Sequence, residues 1–186
     1  MNDLNDKTRP VALPGSPAKK QESRDAQKVL RVLATRLKPL NFERTKPTFY
    51  TRPRKFVVEF VHVHKYTFGP MFRVHLGVRL RCDEDTAAAL NGPSFDALPN
   101  GGTPGTARRF QFTSAPEAVA RCAELMGELV ETAGAEWFEA MQNPELLVSA
   151  DKSPLGVQLI AAFHRAQSSP ELIVTSPQTR QALNVD

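Results

Sequence analysis

The clearest regularity in the chain is a strict alternation of apolar and polar positions from Met71 to Arg81. Phe72, Val74, Leu76, Val78 and Leu80 fall on one side of it, and Met71, Arg73, His75, Gly77, Arg79 and Arg81 on the other. A period of two predicts a strand with one face in a core and a mixed second face. A second strand is predicted from Lys55 to His64, rich in valine and phenylalanine. A shorter one, Thr48–Thr51, precedes it across the turn Arg52-Pro53-Arg54. Arg108–Phe112 supplies a fourth.

Elsewhere the apolar positions recur at three- and four-residue steps. Ala26, Val29, Leu30, Leu33 and Leu37 make one stripe of a helix from about Ser23 to Lys38, with Ser23 as its N-cap. Pro39 limits this helix, and Asn41 is suited to a left-handed turn towards the sheet. Ser114-Ala-Pro-Glu117 has capping-box spacing and opens the longest helix, to about Met141. Its buried stripe is Val119, Cys122, Met126, Leu129, Ala133 and Trp137. Asn143-Pro144 and Ser153-Pro154 each read as a cap followed by proline, starting two short helices. Asp83–Leu90 reads as an acidic helical turn, and 91–107 as a long loop rich in glycine and proline.

The expected fold is α+β. An antiparallel sheet of three to four strands packs against an N-terminal helix and a long C-terminal helix, with further short helices. Residues 1–21 read as a disordered tail, 22–167 as one domain, and 168–186 as a C-terminal tail with one helical turn after Pro177.

Composition adds two constraints. The opening residues carry Asp3, Asp6, Lys7 and Arg9 and no apolar core, so the expected address is the cytoplasm, and no membrane partner is expected. Cys82 and Cys122 are then expected as free thiols. Charge is unevenly spread within a net of +4. Arg36–Arg81 holds eleven lysines and arginines against Glu43 and Glu59, whereas Cys82–Asp186 holds six against fourteen carboxylates. Either a basic sheet and acidic helices attract one another inside one domain, the favoured reading, or the basic segment meets an anionic partner.

Leu37-Lys38-Pro39-Leu40-Asn41-Phe42, then Thr48-Phe49-Tyr50, then Phe72-Arg73-Val74-His75-Leu76-Gly77-Val78 resemble segments of the uncharacterised bacterial DUF4304 family. The resemblance covers about residues 25–81. It implies a helix followed by an antiparallel sheet and carries no catalytic residues with it. Asn41 stands where that family has glycine, and His75 where it has asparagine.

Two groups of side chains bear on function. His62 and His64 lie on one face of one strand. A symmetric hairpin would set Met71 opposite His64, Arg73 opposite His62 and His75 opposite Phe60, leaving His75 diagonal to His62. Three histidines so placed are a zinc-ligand set for a metal-dependent hydrolase, although Arg73 among them opposes a dication. Tyr50, Arg52, Arg54, Arg73, Arg79 and Arg81 form a basic group with aromatics between, suited to single-stranded nucleic acid or an acidic partner. No P-loop, G-x-S-x-G or H-E-x-x-H is present. The reading that follows is a non-catalytic binding module, with no cofactor expected. It would meet a protein partner or other ligand through the charged sheet face or the 91–107 loop.

Overall fold

The chain is described by a computed structural model over residues 12–99, 108–149, 153–169 and 173–186. The 1–21 tail and the 91–107 loop therefore lie partly outside the described residues. At the centre are two nine-residue strands, β3 (Val57–Lys65) and β4 (Phe72–Leu80), paired antiparallel along their full length. β2 (Phe49–Pro53) and β1 (Glu43–Lys46) extend the sheet beyond β3. β5 (Ser94–Phe95) adds an edge beyond β4, giving the order β1-β2-β3-β4-β5. β6 (Ala97–Leu98) and β7 (Arg108–Arg109) form a separate two-stranded ribbon. β1 is polar along its whole length, which is why no alternation betrays it.

The alternation in β4 sorts as expected. Phe72, Val74, Leu76, Val78 and Leu80 join Tyr50, Val57, Val61 and Val63 on the inner face, all buried. The helix α1 (Pro17–Leu37) lays Ala26, Val29, Leu30, Leu33 and Leu37 on this face. It starts six residues earlier than its apolar stripe suggests. Ser16, not Ser23, is the N-cap, accepting from the Lys19 amide with Pro17 at the first helical position. Asn41 is left-handed, with φ 63°, and turns the chain into β1 as expected.

The long helix is interrupted. α2 (Pro116–Leu129) and α3 (Ala135–Met141) are joined by a π-helical turn over Val130–Gly134. The extra residue in that turn rotates the buried stripe. Val119, Cys122, Met126 and Leu129 are buried as read from the sequence. Beyond them the core positions are Val130, Gly134, Phe138 and Met141, while Ala133 and Trp137 are half-buried. Ser114 does not cap α2. Its hydroxyl donates to Asp25 of α1 instead, at 2.7 Å.

α4 (Pro144–Val148) is capped by Asn143 as expected, but α5 (Val157–Ser168) begins after Gly156 rather than at Pro154. Asp83–Leu90 is irregular, with a bend at Thr86–Ala87, and forms no helix. The C-terminal segment is not a tail. α6 (Pro177–Leu183) packs on the outer sheet face, where fully buried Leu183 meets Val58 and Phe60.

Beneath that cover, Phe60 lies opposite Gly77, and a Cβ on Gly77 would overlap its ring. Glycine at 77 is therefore a packing requirement. Gly77→Ala is expected to cost about 2 kcal/mol through overpacking, read as a lowered midpoint in urea unfolding. An unchanged midpoint would show that the ring has room to move.

Candidate functional site

The β3–β4 register decides what the outer face looks like. His62 pairs directly with His75, and His64 with Arg73. The hairpin is thus displaced by two residues from the symmetric closure. An even displacement keeps every side chain on its face, so the three histidines do share one side, but His75 is opposite His62 rather than diagonal to it.

α6 covers the Val58–Phe60 end of this face, with Phe49 packed at the margin, while His62 and His75 beyond it stay partly exposed and His64 exposed, which is the open half. There the His62 ring sits 4.5 Å from the Phe49 ring centroid on β2 and 5.7 Å from that of His75 on β4. Phe49, His62 and His75 are each half-buried, and together they form a row of planar rings across three strands. His64, more exposed, lies edge-on to Tyr66 at 5.9 Å. Arg73 grips Asp96 in a bidentate pair, with Nε to Oδ1 at 2.7 Å and Nη2 to Oδ2 at 3.0 Å. The Tyr66 hydroxyl donates to the same carboxylate at 2.5 Å, and the Arg73 guanidinium lies 5.2 Å from the Tyr66 ring. The hydrogen bond from Arg73 holds the Asp96 carboxyl below its usual range.

Charge on the row is therefore low at neutral pH. Burial, helped by repulsion from His75 and His64, pushes His62 down to about 4. His75 is also lowered, by burial and then by the positive charge of Arg73. His62 Nδ1 is buried and has no hydrogen-bond partner among the described residues. An unmade hydrogen bond of this kind costs about 1–3 kcal/mol, which an ordinary packed face avoids.

The six basic-group residues do not form one surface. Tyr50 is fully buried and donates its hydroxyl to the Leu30 carbonyl at 2.7 Å, so its ring is closed to a stacking base. Arg52 and Arg54 converge on Glu59, a fully buried carboxylate on the inner face, with Nε–Oε2 distances of 2.5 and 3.1 Å. Gln142 donates to its other oxygen, and Arg52 also covers the Phe42 ring at 4.4 Å. Arg79 is buried beneath α6, donating to Thr179 and to the Ala87 carbonyl at 2.7 Å each. Arg81 donates to Thr175 at 3.0 Å. Arg73 alone of the six stands on the open half of the outer face. Glu59 was conspicuous in the sequence as an acid within an apolar strand. Asp96, in contrast, carried no signal that it would meet Arg73.

Two adjoining clefts lie between the Cys82–Asn91 segment and α5, of about 470 and 370 Å³. Asp83, Asp85, Gln158 and Leu159 line both. Burial raises the Cys82 thiol, which is therefore not poised as an activated nucleophile at neutral pH, and it also raises the Asp83 carboxyl.

Among the described residues, no group of three or more His, Cys, Asp or Glu is placed to hold a metal ion. No helix among them is long and apolar enough to cross a membrane. No family model, curated protein or solved structure matches the chain.

The imidazole row has a consequence for stability. His62 is held neutral in the fold but takes up a proton near 6.5 when unfolded. Its contribution is complete above pH 6.5 and is lost as the pH falls towards 4. His64, His75, Arg73 and Asp96 are the charged or titratable groups around it. Unfolding free energies at about pH 7.5 and 5 are expected to differ more in the wild type than in His62→Phe, which keeps the stack on Phe49 without the proton. Equal pH dependence in the two proteins would show that His62 is solvated.

Proposed function

We propose that this protein is a non-catalytic binding module that engages a protein partner through the open half of its outer sheet face. Phe49, His62 and His75 would make the contact, and His64 and Arg73 would form its rim. The observation that carries this reading is the half-buried row of neutral rings, with an unpartnered imidazole nitrogen, on a sheet face that α6 covers only in part.

Neutral planar side chains beside an already paired arginine suit a protein surface of mixed polarity. Such interfaces gather aromatic side chains and arginine at the centre and deplete other charges there. The same features argue against a phosphate backbone at this face, because Arg73 is neutralised by Asp96 and His62 is uncharged at neutral pH. Arg73 also disfavours a divalent cation between the histidines. The short segments that resemble the DUF4304 family add no activity to this reading.

Affinity purification with quantitative mass spectrometry tests it, using wild type, an outer-face variant (His64→Glu with His75→Glu) and a control on α2 (Glu124→Ala). The expected result is one or more proteins enriched with wild type and control and reduced about tenfold with the outer-face variant, equivalent to ~1.4 kcal/mol. Recovery of the same proteins at equal yield from all three, or of none above background, would defeat the proposal.

A further inference from the structure

We infer that the solvent face of α1 is a second binding surface, built for the phosphate backbone of a nucleic acid. Lys20, Arg24, Gln27 and Arg31 are all exposed on this helix. At 3.6 residues per turn they point within an arc of about 60°, and Lys20 and Arg31 are about 16 Å apart along the axis. Arg44 reaches in from β1 and donates to Gln27 at 3.3 Å, which sets a fourth cation beside the row.

Both carboxylates of the helix are turned away from this face. Glu22, 11% exposed, is engaged by Lys19 and by Lys65 of β3. Asp25, 1% exposed, accepts from Lys28 and Ser114 at 2.7 Å each. The direct hydrogen bond from Lys28 is the largest cause that holds it down at about 2. Lys20, Arg24, Arg31 and Arg44 make no ion pair among the described residues. This contrasts with Arg36, Arg52, Arg54, Arg73 and Arg108, each held by a carboxylate. At the head of the helix, Lys19, Lys20, Ser23 and Arg24 border a shallow depression of about 340 Å³.

The chemistry of the row selects its occupant. Ala26, Val29, Leu30, Leu33 and Leu37 are spent in the core, so α1 has no continuous apolar face left to sink into a bilayer. Val32, 42% exposed, lies to one side of the row. The row also lacks the aromatic or aliphatic anchor on which protein interfaces depend. What it offers is regularly spaced positive charge, the complement of a polymer with one negative charge per about 1.7 Å of duplex axis. Binding would rest on counterion release and would carry no base readout.

Fluorescence anisotropy with the full chain tests this, using a mixed-sequence duplex of about 24 base pairs and the corresponding single strand. Four phosphate contacts predict that the logarithm of the binding constant falls with that of salt at a slope of about −3.6 for duplex, or about −2.8 for single strand. The measured slope identifies the form that is bound. Lys20→Glu, Arg24→Glu and Arg31→Glu together are expected to weaken binding at low salt at least about tenfold, or ~1.4 kcal/mol. The corresponding glutamine variant, which keeps helix propensity, is expected to fall in between, with an unchanged circular-dichroism melt. The outer-face variant is expected to bind as wild type does, which separates this surface from the one proposed above. Three results would overturn the inference: no binding of either oligonucleotide at about 50 mM salt, binding that the α1 variants leave intact, or sedimentation with phosphatidylserine vesicles in place of oligonucleotide binding.

Discussion

Nine consecutive residue pairs between β3 and β4 set the two faces on which the rest of the molecule is built. On the inner side they align Val61 with Leu76 and Val63 with Val74, the floor on which α1 and α2 pack. On the outer side the same pairs bring His62 to His75, His64 to Arg73 and Phe60 to Gly77. A slip of one residue would turn one strand's apolar set to solvent, so the hydrophobic pattern excludes the odd registers. Core packing thus fixes the side on which the imidazoles lie, and the observed register brings His62 opposite His75.

Charge in this protein follows two different rules. Within the domain it is neutralised locally. Arg36 meets Glu131 and Arg108 meets Glu128, which ties α1 and β7 to the acidic helices. Glu59 draws two arginines and Gln142 to the lower end of the sheet. Removing one member of such a buried set typically costs about 3–5 kcal/mol, so these residues serve the fold. The outer face of α1 breaks the pattern, because its cations have no carboxylate among the described residues and its own acids are turned inward.

What was legible in the sequence was what packing makes periodic. The alternation of β4 and the stripe of α1 both reach the core as read, because each buries one face against the other. Non-periodic features were not legible. β1 is polar throughout, so it is held by strand pairing and by polar contacts that leave no periodic trace in the sequence, such as those of Arg44 with Gln27 and of Lys46 with the Gln181 carbonyl. The π-helical turn adds one residue to a helix and moves the buried set from Ala133 and Trp137 to Gly134 and Phe138. α6 leaves little trace in the sequence beyond one helical turn, since Ala182 and Leu183 are too few to make a stripe. For the site, the shared face of the three histidines was legible from strand parity. Their pairing was not, because the Lys65–Pro70 loop allows more than one even register. The basic group misled for a physical reason: Tyr50 and Arg52 are close in sequence and Arg79 lies on a nearby strand, but strand parity and α6 bury Tyr50 and Arg79 separately and hold Arg52 on Glu59.

The proposed binding face depends on the pairing of His62 with His75, and nuclear Overhauser spectroscopy of isotopically labelled protein tests that pairing directly. The expected result is cross-strand contacts between the backbone protons of residues 62 and 75, and of 64 and 73. Contacts linking 62 to 73 and 64 to 71 instead would mean the symmetric hairpin. His75 would then be diagonal to His62, and the row of rings on which the proposed binding face depends would not exist.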